Sequence, residues 1–322
     1  MGSRLSADQW KMMQNEMRDN RNRYYARLAS DYQDESKLLL KTYRQRLRAI
    51  DAQIEAVVEA AENGGNVPAA LQTLREETVR ELGRMETVIR DTARRLQNGA
   101  AQIGAEAGGA ALEAFGSGFN IPTPQMLKAL INYVDSPAFQ KAAESFGDYF
   151  GKLVNQEMIA GMNAGKNPRA IARAILRQWS GSDSPPLHAI QNMTRTVQLW
   201  SSRRGTQAVY GQSGIEKWIW SSAADARTCP ACWAKHGSIH PVTEVLNDHH
   251  QGRCAMTPLT KKWSEILGIE GDDTPDPVSG EFLFSQLTEA EQRAIMGPGR
   301  YQAWQSGAFK FSDIPTTYEN PV

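Results

Sequence analysis

Apolar residues recur at helical spacing through the first third of the chain. Trp10, Met13, Met17, Tyr24, Leu28 and Tyr32 fall mostly three or four apart, the period that gathers side chains on one helix face. Ser6-Ala-Asp-Gln9 ahead of them is a capping box and predicts that a helix starts there. Tyr43, Leu47, Ile50, Ile54, Val57 and Ala61 then alternate four and three apart, a heptad seam that buries a narrow stripe against another helix. Gly64-Gly65-Asn66 stops this helix and Pro68 restarts one. Leu71, Leu74, Leu82, Met85, Ile89 and Leu96 form the second seam. The pattern predicts an antiparallel, coiled-coil-like helical hairpin over residues 1–98. The competing expectation is a solvated coil ordered only by a partner, since an isolated helix needs a packed face to persist.

From Gly99 to Asn120 the composition shifts to Gly and Ala, and Pro122 and Pro124 follow. Residues 99–123 therefore read as a flexible or closely packed connector and as the main domain boundary. Residues 124–213 return to helical patterning. Ser136-Pro137 is a cap and first-turn pair, followed by an apolar face from Phe139 through Phe146, Phe150 and Val154 to Met158. Asn167-Pro168 and Pro185-Pro186 start further helices, the last carrying Ile190, Met193, Val197, Trp200 and Val209. At Ile215 the period changes. In Glu216-Lys-Trp-Ile-Trp-Ser-Ser222 alternate positions differ in polarity, which predicts a strand. Thr288-Glu-Ala-Glu291 is a second capping box, and Gly297-Pro298-Gly299 closes the short helix it opens. The predicted fold is mainly α: the hairpin, a central helical region, and a small α+β module over 214–313 with a loose tail at 314–322.

Composition excludes several classes. Lys plus Arg and Asp plus Glu both number 36, so the 322-residue chain has no global electrostatic footprint for nucleic acid or an anionic membrane. Mean hydropathy is −0.51, and no window of about 20 residues is continuously apolar. The first residues lack the apolar core of a signal peptide. One local charge bias stands out: residues 1–50 hold 11 Lys or Arg against 6 Asp or Glu. Arg18, Arg21, Arg23 and Arg27 cluster there around Tyr24 and Tyr25. An ordinary solvated face is the plainer explanation, and contact with double-stranded DNA or a partner is the alternative.

All three cysteines, Cys229, Cys232 and Cys254, lie in one 26-residue window with four of the five histidines. An odd count argues against a disulfide framework and for a reducing assembly site. Cys229 and Cys232 have the Cys-x-x-Cys spacing of a zinc knuckle, where one tight turn offers two thiolates to a tetrahedral ion. Cys254 adds a third thiolate, and His249 or His250 a fourth ligand. A closed structural zinc site would stabilise this turn-rich stretch directly. His236 and His240 are weaker candidates. Buried cysteines without metal are the bland alternative, and a redox pair lacks its thioredoxin-like strand–helix setting. A zinc deaminase would need His-x-Glu and Pro-Cys-x-x-Cys, but no histidine has Glu two residues on and Thr228 stands at the proline position. Asp248-His249-His250 suggests the start of a nuclease site, yet no histidine follows His250 to complete it. No Walker loop, Rossmann fingerprint or nucleophile elbow occurs.

The stretches IWSSAADARTCPACWAKHG and DHHQGRCAMTPL resemble the signature of the phage Mu F-like head morphogenesis family. Its members carry Asp-x-Arg-Thr-Cys-x-x-Cys, then a His-x-x-Cys-Arg-Cys-like element. MIAGMNAGKNPRAIARAIL is similar to the family's lead-in, and the run from Gly280 to Ile314 to its C-terminal part, so the resemblance spans about residues 150–313. Gly252 departs from it, standing where relatives have the first cysteine of Cys-Arg-Cys. The resemblance places the family histidine on His249 and retains Cys254. It implies a structural, non-enzymatic minor capsid protein in the virion, present in several copies. Such a protein would act with the portal or inner capsid proteins in head assembly, and in DNA packaging or ejection.

Overall fold

The computed structural model describes residues 7–137, 139–144, 185–249, 252–260 and 277–314, with scattered positions between 152 and 174. The architecture is mainly α with one small antiparallel sheet. Helix α1 spans Ala7–Glu62 and α2 spans Val67–Ala114. The turn between them places Gly64 at φ +69°, where glycine avoids the Cβ clash of other residues. The Asn66 carboxamide then accepts from the Ala69 amide (3.1 Å) and caps α2. The short α3 (Pro124–Leu130) has Thr123 as its N-cap. Further elements are α4 (Pro185–Gln212), β1 (Lys217–Ser221), α5 (Pro230–Lys235), β2 (Ile239–Pro241) and β3 (Ala255–Leu259). Helices α6 (Gly280–Ser285), α7 (Glu289–Met296) and α8 (Pro298–Gln305) follow, then a 3-10 turn at Phe311–Asp313.

The chain forms two compact units. One gathers residues 29–97, 132–198 and the last two; the other gathers 1–28, 98–131 and 199–320. In the first, the predicted seams are the core. Tyr43, Ile50, Ile54 and Val57 of α1 are buried, as are Leu74, Leu82, Met85, Ile89 and Leu96 of α2, while Leu47 is half-buried. Ion pairs Glu35–Arg95 (2.9 Å) and Arg46–Glu81 (3.3 Å) fix the antiparallel run. Glu81 is 1% exposed at its side chain and also meets Arg84, so its charge is paired on both sides, as burial requires. Val134 joins through its amide, which donates to Gln97 Oε1 (2.9 Å).

The second unit holds the chemistry. Its part of α2 includes most of the Gly/Ala run at 99–123, for which the sequence left open a flexible or a closely packed segment. The Gly/Ala run is helix as far as Ala114, and Ala100, Ala101, Ile103, Ala105 and Leu112 are buried. The glycines are there for close approach. A Cβ on Gly104 would lie 1.8 Å from the Ser202 carbonyl oxygen of α4, and one on Gly205 2.1 Å from that of Ala101. The two backbones meet, and Thr206 Oγ1 donates across to the Gly104 carbonyl (2.8 Å). Of the two possibilities in the sequence, flexible or closely packed, the packed one holds.

The predicted strand is β1, central in the order β2-β1-β3 with both neighbours antiparallel. Its alternation buries Trp218 and Trp220. Pro258 is tolerated opposite Trp218 because β3 is an edge strand. Trp233, Phe284, Met296 and Phe311 form a core that joins α5 to α6, α7 and the final turn. The predicted capping box Thr288–Glu291 caps α7, and Gly297 ends it at φ +77°. The apolar face from Phe146 to Met158, the Asn167-Pro168 helix start, the cap at Ser6 and the tail after Ile314 lie outside the described residues. No described helix is long and apolar enough to cross a membrane.

Candidate metal centre

Two short segments of the second unit deliver the donor side chains. The first follows β1. Asp225 closes a tight turn on itself: its carboxylate accepts from the Arg227 amide (3.0 Å) and Thr228 Oγ1 (2.9 Å), and Thr228 Oγ1 accepts from the Asp225 amide (3.1 Å). Ala224, just before, takes φ +51°, a conformation costly for a residue with a Cβ. This is the physical content of Asp-Ala-Arg-Thr: it turns the chain so that Cys229 lands as the N-cap of α5. The Cys229 Sγ accepts from the Cys232 amide (3.4 Å), and Pro230 occupies the first helical turn. Cys232 is buried and Cys229 half-buried.

The second segment comprises Asp248, His249 and residues 252–254, held by a buried guanidinium. Arg203 of α4 donates to both carboxylate oxygens of Asp248 (2.6 and 2.9 Å) and to the carbonyls of Gly252 (2.7 Å) and Cys254 (3.2 Å). Asp248 Oδ2 also accepts from the Cys254 amide (3.3 Å). Tyr25 Oη of α1 donates to the carbonyls of Arg253 (2.9 Å) and Cys254 (3.1 Å). Arg253 returns to the first segment and binds Asp225 through two nitrogens (2.7 and 2.6 Å). That pairing, with the Thr228 hydrogen bond, holds the Asp225 carboxyl well below the usual range. Gly252 fits because a Cβ there would lie 1.9 Å from Asp248 Oδ2, so this position has no room for the cysteine of related motifs.

The donors converge as two overlapping groups. Ligand atoms of Cys229, Cys232 and His249 all lie within 4.8 Å of one another, and so do those of Cys232, Asp248 and Cys254. These residues are close enough to hold a metal ion. The thiols already perturb one another. Cys232 beside it, and His249, pull Cys229 down to about 4. Cys232, between Cys229 and Cys254, is pushed up. Two negative thiolates resist each other at this spacing, and a cation is what relieves such crowding. Asp248 has both oxygens engaged by Arg203, and Cys232 is common to the two groups.

The remaining candidates have other duties. His250 lies outside the described residues. His236 Nδ1 accepts from the Ser222 amide (3.1 Å), and burial, with Arg21 nearby, lowers its pKa. His240 stacks on Trp218 (4.5 Å) between Ser238 Oγ (2.8 Å) and Glu244 Oε1 (2.8 Å). This resembles a nucleophile relay, yet the Ser238 hydroxyl also bonds the Lys235 carbonyl (2.7 Å), and the Gly237 and Ser238 amides donate to the carbonyls of Trp220 and Lys235. The relay therefore ties β2 to its turn. Asp248, first of the triplet that suggested a nuclease, is a support for the loop.

The four N-terminal arginines do not form one free face. Arg27 pairs with Glu106 (2.6 Å), and Arg23 bonds Asn20 and lies over the Tyr24 ring. Arg18 and Arg21 line a cavity of about 430 Å³ with Tyr24, Tyr25 and Leu28. Sequence reasoning missed Tyr25 and Arg203 as supports of the site. Tyr25 lies 229 residues before Cys254, and no local pattern announces a contact at that separation.

Residues 152–257 match the model of the family described as Phage Mu protein F like protein. This segment, about a third of the chain, is similar to the Mu F-like family. The Mu F-like segment contains all four donors together with Arg203, Asp225 and Asp248. It ends at Thr257 within β3, so the similarity noted from Gly280 onward lies beyond it, as does Tyr25. No curated protein and no solved structure matches the chain.

Proposed function

We propose that this protein is a structural head component of a tailed bacteriophage, acting at or near the portal in head assembly without catalytic turnover. We further propose that its Cys/His cluster holds a structural zinc ion. The observation that carries the proposal is that the Mu F-like segment contains Cys229, Cys232, His249 and Cys254, with Cys232 shared by the two groups of neighbouring donors. Three thiols and an imidazole match the preference of zinc for sulfur and nitrogen in a closed tetrahedral site. Bound zinc would supply a crosslink between the α5 turn and the loop ending at Cys254. The residues around it act as a rigid mount: Asp225 and Arg253 join the two segments, and Arg203 fixes the loop. Partners are portal or inner capsid proteins, and the location is the virion. The DNA-binding alternative draws mainly on Arg18 and Arg21, since Arg27 is held by Glu106 at 2.6 Å while Arg18 has only the long pair with Asp19 at 3.8 Å.

Two measurements test this. Protein purified without chelator and with reduced thiols should carry about one zinc per chain; metal-free protein in reduced form would overturn the zinc assignment. Heads purified from a phage encoding this chain should contain it, and deleting its gene should reduce the yield of complete heads. Particles that lack the protein and assemble at normal yield without it would overturn the head assignment.

A further inference from the structure

The Cys254 backbone is held at both its polar atoms, the carbonyl by residues distant in sequence. Its carbonyl accepts from Tyr25 Oη of α1 (3.1 Å) and Arg203 Nε of α4 (3.2 Å). Its amide donates to Asp248 (3.3 Å), whose carboxylate is gripped by the same Arg203. Tyr25, Arg203 and Asp248 thus hold the backbone from which the Cys254 side chain projects. The stretch of α1 that carries Tyr25 belongs to the same compact unit as the loop. Leu28 packs there against Ala100 and Ile103 of α2, with Tyr24 and Tyr25 beside them.

We propose that metal binding by Cys229, Cys232, His249 and Cys254 is coupled to the seating of the Arg18–Leu28 stretch of α1, with Tyr25 as the coupling residue. The proposal rests on the metal assignment above and extends it to a partner element outside the Mu F-like segment. The coupling runs both ways, as linkage requires. Tyr25 holds the Cys254 carbonyl and so keeps the thiol in ligating position. Conversely, a ligated Cys254 presents its carbonyl, and that of Arg253, at a fixed place for the Tyr25 hydroxyl. Residues that orient ligands from outside the ligand set typically change metal affinity about tenfold or more.

The test uses the full-length, zinc-loaded protein. Zinc release to a chromogenic chelator is followed for wild type, Tyr25→Phe and Tyr32→Phe. Tyr32 is the control because it lies on the same helix and its hydroxyl donates to the Gln191 carbonyl (3.0 Å), within the other compact unit. Tyr25→Phe should accelerate release about tenfold and Tyr32→Phe should leave it unchanged. In parallel, amide exchange in residues 18–28 should speed by about tenfold when zinc is removed from wild type. Zinc release unchanged by Tyr25→Phe, or accelerated equally by both variants, would overturn the coupling while leaving the metal assignment intact. Exchange in residues 18–28 that is indifferent to zinc would do the same. Wild-type protein that retains no zinc would overturn both.

Discussion

Single side chains in this protein matter through what they pin. Gly252 is the sharpest case, because an added Cβ would enter the space of the Asp248 carboxylate. Gly252→Ala must displace Asp248 from Arg203, leaving a buried guanidinium without its counter-charge. A loss of about 3 kcal/mol is expected, measured as a lower melting temperature together with zinc below one per chain. Asp225 makes a pH-dependent contribution with a defined sign. Its folded pKa is depressed by Arg253 and Thr228. Its stabilisation is therefore complete above the unfolded value of about 3.9 and is lost as pH falls below it. His236, buried and depressed, also destabilises the fold as acid protonates it, so the informative quantity is the difference between two proteins that share it. Asp225→Asn should be less stable than wild type at pH 7 by about 1 kcal/mol, a modest figure because the carboxylate is partly solvated. The gap between the two melting curves should close as pH drops through 4 to 2. A gap that stays constant would mean that Asp225 acts through shape and not charge.

Elements differ in how openly the sequence declares them. The heptad seams, the strand at Trp218 and Trp220, and the capping box at Thr288 were all legible, since each is a local pattern with one physical meaning. The Gly/Ala run was not. Glycine is equally frequent where a chain must be loose and where two backbones must touch, and composition cannot separate the two. The deciding fact lies on the other helix, where Gly205 meets Ala101 and Ser202 faces Gly104. That the cysteines and His249 cluster was legible from spacing, but what holds the cluster in place was not, because Arg203 and Tyr25 reach it from distant helices. The glycines of α2 offer a direct test of the packing account. Gly83 is an exposed helical position with nothing near its missing Cβ, so Gly83→Ala should stabilise the protein by about 0.5–1 kcal/mol. Gly104→Ala, the same change in the same helix, should destabilise it by about 1–3 kcal/mol through overpacking against Ser202. Thermal melts of the two variants should move in opposite directions. Equal shifts would mean that the α2–α4 crossing adapts freely. Proteases should likewise spare residues 99–114.

At the scale of the whole molecule, order along the chain and membership of compact units do not coincide. Read from sequence, residues 1–98 look like a detachable hairpin, and everything after the Gly/Ala run like a self-sufficient module. The unit that contains the metal donors nevertheless draws on residues 1–28 and 98–131 as well as 199–320. Removing residues 1–98 would strip this unit of Tyr25 and Leu28, both of which contact its interior. It would also leave residues 99–114, with their buried Ala100, Ala101, Ile103, Ala105 and Leu112, as a frayed helix start without its preceding turns. The proposed zinc crosslink between the Cys229 turn and the Cys254 segment would restore neither loss, because it would tie together segments that the deletion does not touch. The truncated chain 99–322 should therefore fail to give the cooperative thermal transition of the full chain. Its Cys254 should react with a thiol reagent at a rate close to that of a model peptide. A truncation beginning at residue 16 keeps Arg18–Leu28 and should retain both the transition and the protected thiol. If the 99–322 chain instead melts cooperatively with a protected Cys254, the metal-bearing unit is complete without α1, and the contacts of Tyr25 and Leu28 are dispensable to it.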